Sequence, residues 1–109
     1  MARAVYWQKG ESLDYVNETT AVIEANTIIP LEGRIGVAGT SINPGETGSL
    51  YMAGVYEIAK TGRAEIKMGA AVYFDGTGIT DTKADAVPAG YAARTAAAED
   101  EVILVKLPG

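Results

Sequence analysis

The side chains that most often carry chemistry in proteins are missing from this chain, which has no histidine and no cysteine among its 109 residues. That removes Cys/His zinc sites, thiol nucleophiles, disulfide frameworks and the Ser-His-Asp and Cys-His arrangements together. Ser12, Ser41 and Ser49 therefore have no imidazole base. Carboxylates remain. A pair of them flanking a bond can hydrolyse a glycoside, but nothing in the spacing of Glu57 and Glu65 marks a pair, and Glu99-Asp100-Glu101 reads as the solvated tip of a turn. Asp75-Gly76-Thr77-Gly78-Ile79-Thr80-Asp81 sets two carboxylates and two hydroxyls around a loop. A calcium loop needs oxygen ligands at alternate positions and a bidentate glutamate at the twelfth. The pattern fails after its first ligand, so the segment reads as a glycine hairpin whose aspartate caps its own backbone. No glycine precedes Lys-Ser or Lys-Thr as a P-loop requires, since Lys60-Thr61-Gly62 has the types in the wrong order. No helix follows a glycine cluster as dinucleotide binding requires. The expectation is a protein that is not an enzyme and holds no metal or cofactor.

Charge narrows the partners. Nine basic against fourteen acidic residues leave a net charge of −5, which on average repels a phosphate backbone, so nucleic acid is not an expected partner. No apolar stretch reaches the roughly 20 residues of a membrane span, and the N-terminus meets Lys9 too early for a secretory signal. A soluble protein without a membrane partner is expected.

The elements that must position any site are short period-2 runs broken by glycine every 8 to 12 residues or so, which is all-β spacing. Strands are expected at Ser12–Val16, around Ile28–Leu31 with Pro30 at an edge or kink, and at Arg34–Ala38. Asn43-Pro44-Gly45-Glu46 is a turn, because proline presets its second position and glycine accepts positive φ at its third. The longest pattern runs from Thr47 to Lys60, with Leu50, Met52, Tyr56 and Ile58 on one face and Tyr51, Ala53 and Val55 on the other. Its extended length of roughly 45 Å exceeds what a domain with a radius of gyration near 13 Å can hold, so it must bend or break, and Gly54 is the expected place. Hairpins are expected about Asp75–Gly78 and Thr95–Asp100. Thr95-Ala96-Ala97-Ala98-Glu99-Asp100 has helical propensity but is too short to stand as a helix. No internal repeat is evident. The reading is a single all-β domain over residues 11–109, a small antiparallel β-barrel or sandwich with glycine-rich hairpin turns and little or no helix, preceded by an arm or edge segment at residues 1–10.

Two features bear on partners. Val102-Ile103-Leu104-Val105 and Ala70-Ala71-Val72-Tyr73-Phe74 are apolar on both faces, where an isolated sandwich strand should turn one polar face to water. Either they sit centrally in a small barrel under covering loops, or their second face lies in a subunit interface. Near the N-terminus, Tyr6, Trp7 and Tyr15 are large anchors of the kind found at interface hot spots. They either pack on the domain's own core, or Val5, Tyr6 and Trp7 form a partner-binding arm that adds a strand to a neighbour's sheet edge.

The order of motifs resembles a known family. Leu13-Asp14-Tyr15, Thr27-Ile28-Ile29-Pro30-Leu31, Arg34-Ile35-Gly36-Val37-Ala38 and Pro44-Gly45-Glu46-Thr47-Gly48 open the series. Gly54-Val55-Tyr56-Glu57, Gly69-Ala70-Ala71-Val72-Tyr73-Phe74-Asp75, Gly90-Tyr91-Ala92 and Val105-Lys106-Leu107 complete it. Together they are similar to the small phage and prophage proteins catalogued as DUF2190. That resemblance implies a capsid decoration, or cement, protein. It would be a β-rich structural protein of the virion, a homotrimer on the outer capsid surface that links major capsid protein subunits, made in the host cytoplasm. It supplies no catalytic residues. The competing class is a small ligand-binding β-barrel module without catalysis, which would need a concave aromatic patch with convergent polar groups.

Overall fold

A computed structural model describes residues 2–108, and among these it has nine strands and no helix. They are β1 (Ser12–Val16), β2 (Ile28–Pro30), β3 (Ile35–Ala38), β4 (Thr47–Tyr51), β5 (Ala53–Ala59), β6 (Ala71–Phe74), β7 (Ile79–Thr80), β8 (Val87–Ala92) and β9 (Val102–Pro108). Two antiparallel sheets form, ordered β1-β4-β3-β2 and β5-β9-β8-β6-β7. Of the two architectures expected, this is the sandwich and not the closed barrel. Pro30, which has no N–H to donate, sits on the edge strand β2 where the loss is harmless. The Ala-rich Thr95–Asp100 segment is a loop: the Ala97 N–H donates to Asp100 Oδ2 at 2.8 Å and the Asp100 N–H to the Ala97 carbonyl at 3.1 Å. A local side-chain bond has outcompeted helical propensity there.

The long pattern breaks at Met52, not at Gly54 as expected. The Met52 N–H still donates to Glu11 O at 2.8 Å, at the end of the β1–β4 pairing, whereas Ala53 already pairs with Pro108 in the other sheet. The Met52 side chain is buried and pins the crossing from below. Gly54 stays paired, opposite Leu107, and its φ of +114° absorbs the change of direction just after the break.

Contrary to the sequence reading, the chain is an internal repeat. The pairs Ser12↔Tyr51 through Val16↔Thr47 of β1–β4 recur as Val55↔Lys106 through Ala59↔Val102 of β5–β9. Ile28↔Val37 and Ile29↔Gly36 recur as Ala71↔Tyr91 and Val72↔Gly90, and Val37↔Tyr51 and Ala38↔Leu50 as Tyr91↔Lys106 and Ala92↔Val105. The connections repeat too. An isolated antiparallel bridge joins Ile23 to Ile42 in one half and Ile66 to Ala96 in the other. Asn26 and Gly69, both at positive φ, donate to the carbonyls of Ala38 and Ala92. The side chains of Glu46 and Asp100 accept from the N–H groups of Asn43 and Ala97. Under this correspondence only a few residues coincide, among them Ala21 with Ala64, Ile23 with Ile66, Gly36 with Gly90 and Ala38 with Ala92. That is why the repeat is invisible in sequence. The second half differs by an inserted hairpin, β7, between its β6 and β8, where the first half turns directly from β2 to β3.

Each half has its own core. Ile29, Leu50 and Met52 form the first, with Tyr15, Ile23 and Leu31 against it. Val72, Val105, Leu107, Ile58, Ile66 and Phe74 occupy the corresponding places in the second. Fully burying an apolar side chain of this size contributes roughly 1.5–3 kcal/mol. The second core also takes in Ile35 and Val37 from β3, and this joins the halves.

Candidate functional site

No described group of three or more acidic residues is placed to hold a metal ion. The Asp75 loop is a self-capped hairpin. Asp75 Oδ1 accepts from the N–H groups of Thr77 and Gly78, both at 2.9 Å, and Oδ2 from the Thr61 hydroxyl at 2.7 Å. These bonds favour the anion, the Gly78 N–H most, and hold the carboxyl below the usual aspartate range. Both oxygens of the Asp75 carboxylate are thus spent on hydrogen bonds within the protein, while the Thr80 hydroxyl accepts from the Thr82 N–H and Asp81 Oδ1 from the Thr82 hydroxyl. Glu57 and Glu65 are both exposed, Glu57 on β5 and Glu65 on the link before β6. Asp100 of the acidic run serves as a turn cap.

The buried polar residues Asn17 and Lys60, which sequence reasoning missed, occupy matching positions at the ends of β1 and β5. Both backbone N–H groups donate to the loop opposite, to Glu46 O and Glu101 O at 2.9 Å. Asn17 is fully buried. Its Nδ2 donates to the carbonyls of Ala21 and Ile42, each at 2.8 Å, and its Oδ1 accepts from the N–H and hydroxyl of Thr19. Lys60 buries its stem and donates from Nζ to Ala98 O at 3.2 Å. Both are structural pins for a loop.

Surfaces suited to partners are of two kinds. The first is the N-terminal segment before β1, which carries no strand pairing. Val5, Tyr6 and Trp7 stand 88, 81 and 88% exposed there, so the Tyr6 and Trp7 rings do not join the core, whereas Tyr15 does. A bond of 3.4 Å from Gln8 Nε2 to Ser12 O ties the segment's end to β1. Arg3 and Lys9 fall within residues 2–10, where no acidic residue lies, so a short cationic strip precedes an acidic body that opens at Glu11.

The second is the outer face of the five-stranded sheet. The strands that read as apolar on both sides alternate in the structure. In β9, Ile103, Val105 and Leu107 are buried while Val102 is exposed and Leu104 half-buried; in β6, Val72 and Phe74 are buried while Ala71 is exposed. Neither covering loops nor a barrel wall closes over that second face. Val55, Lys106, Tyr91 and Ala71 form one cross-strand row on it.

Between the sheets lies a cleft of about 440 Å³ lined by Ile28, Val37, Tyr56 and Ile58, with Glu57 and Thr77 at its rim. Burial, with a smaller contribution from nearby Tyr51, raises the Tyr56 phenol above its ordinary pKa. No helix among the described residues is long and apolar enough to cross a membrane.

No curated protein and no solved structure matches the chain. A family profile does, from residue 7 to residue 107, and it is that of the phage cement proteins. With an all-β sandwich, exposed apolar surface and a match spanning nearly the whole chain, the protein belongs to the phage cement protein family, whose role is structural and whose place is the phage capsid.

Proposed function

We propose that this protein decorates the outer surface of a phage head as a homotrimer and stabilises the shell by linking major capsid protein subunits, joining the head in the host cytoplasm during assembly. In this reading residues 1–10 are a partner-binding arm and residues 11–109 a domain that folds without it. The observation that carries the reading is the exposure of Val5, Tyr6 and Trp7 beside a body whose two cores are already complete. Large apolar side chains held in water are a cost that contact with a partner removes. In an extended arm Val5 and Trp7 point to one side and Tyr6 to the other, which suits strand addition at a neighbour's sheet edge. An acidic body does not compete for the packaged genome. The test is to mix the purified protein with expanded, undecorated heads and image the particles. Decoration at fixed lattice positions, with greater resistance of the heads to heat, is expected; heads that stay bare at micromolar protein would overturn the proposal.

A further inference from the structure

The two halves of the chain stack head to tail. Ile28, Ile35 and Val37 stand on the side of β2–β3 turned away from the first core, and they pack into the second, where Val37 and Ile28 share the inter-sheet cleft with Tyr56 and Ile58. The repeat carries each of these side chains onto a counterpart. Ile28 and Val37, directly paired, correspond to the paired Ala71 and Tyr91, and Ile35 to Pro88. Tyr56 and Ile58 correspond to Leu13 and Tyr15. Within the chain the first set is covered: Val37 is 3% and Ile58 7% exposed. The counterparts are open, with Tyr91 and Leu13 each 42% exposed, Ala71 and Pro88 exposed and Tyr15 half-buried. The second half therefore has an unused donating face and the first half an unused receiving side.

We propose that a second copy of this chain satisfies both: Ala71 and Tyr91 of one copy pack on Leu13 and Tyr15 of the next, repeating between chains the contact that already joins the halves within one. The side-chain sizes complement each other. Inside the chain a small Val37 and a large Tyr56 line the same cleft; between chains a large Tyr91 takes the place of Val37 and the smaller Leu13 that of Tyr56. Likewise Ile28 with Ile58 is replaced by small Ala71 with large Tyr15. Summed volume is conserved where single residues are not, as close packing demands. The contact is heterologous, so it terminates only by closing into a ring. The proposal builds on the homo-oligomer proposed above and names its faces; three copies would set six half-units around the axis.

The chain lacks cysteine, so two introduced thiols report this one contact. Leu13→Cys and Tyr91→Cys chains, mixed and oxidised both free and on expanded heads, are expected to give a disulfide-linked dimer that neither variant gives alone. Homodimers of either variant in preference to the mixed product would overturn the proposal, as would no cross-link in either setting from proteins with intact melting curves. Because Tyr91→Cys removes the ring itself, a Tyr91→Glu chain is examined by native mass spectrometry. A monomer with an unchanged melting temperature supports the contact, and an unchanged oligomer contradicts it. Head attachment of the unaltered protein is read separately: bare heads count against decoration, whereas decorated heads without the cross-link count against this contact alone.

Discussion

The first half, Ser12 to Tyr51, and the second, Val55 to Lys106, solve one folding problem with different residues. What they share is hydrogen-bond register. What they exchange is volume and polarity. In the first half the large Ile42 lies over Gly48, where any Cβ would strike the Ile42 side chain. At the matching places of the second half stand a small Ala96 and a large Ile103, both buried in the second core. Where the first half pins its loop with a fully buried asparagine making four side-chain bonds, the second uses a lysine whose head reaches one carbonyl. The backbone pattern is the conserved object, and any side chains that fill the same total space and leave no buried polar group unpaired are acceptable. Set against this common frame, residues 2–10 and β7 are the additions: Val5, Tyr6 and Trp7 of the first are exposed, whereas Ile79 of β7 is buried.

The largest difference between the halves is expected at Gly36 and Gly90. Gly90 sits at φ +133° and a Cβ there would run into the Lys106 backbone carbonyl, so Gly90→Ala should cost about 4 kcal/mol. At Gly36 the atoms nearest a Cβ belong to the side chains of Leu50 and Met52, which can shift, and Gly36→Ala should cost about 1–2 kcal/mol. Urea midpoints compare them; equal costs would mean the halves are not packed differently here. Next, Ile42→Ala should cost about 3 kcal/mol through its cavity. Adding Gly48→Ile, which copies the second half's arrangement, should recover at least about 1 kcal/mol relative to the sum of the single changes. Strict additivity would break the correspondence. At the buried pins, Asn17→Asp sets a second acceptor against the Ala21 and Ile42 carbonyls and should cost about 3 kcal/mol. Lys60→Met keeps the buried stem and should cost under about 1 kcal/mol.

A smaller effect belongs to the hairpin that only the second half has. The folded state holds the Asp75 carboxyl below its unfolded pKa, so its stabilisation is complete above the ordinary aspartate range and is lost as pH falls through the depressed folded value. Urea midpoints measured from pH 5 downward should fall less steeply for Asp75→Asn than for the unaltered protein. Parallel curves would show that the cap contributes nothing.

Much of the fold was legible because its signals are local. Pro44-Gly45 and Asp75–Gly78 specify turns by backbone chemistry, and the alternation of Leu50, Met52, Tyr56 and Ile58 specifies a buried face. The break point was not legible, since Met52 crosses between sheets because of what lies under it and not because of its own propensity. The repeat was hidden because positions such as Asn26 and Gly69 satisfy one backbone requirement with unrelated side chains. Of the candidate surface, the two-sided apolar runs lie on β6 and β9, whose second face the structure leaves partly exposed. Val55 and Tyr91 become part of that face only through cross-strand pairing, which spacing along the chain does not reveal.

The central claim is that the body is complete without its arm and that the arm exists for a partner. Trp7→Ala tests it most directly, with melting temperature and attachment to expanded heads measured on the same preparation. Since Trp7 is 88% exposed, the melting temperature should stay within about 2 °C of the unaltered protein, while attachment weakens at least about tenfold, as loss of a tryptophan anchor at a hot spot does. A melting temperature lowered by about 10 °C or more, or unchanged attachment to heads, would contradict the account.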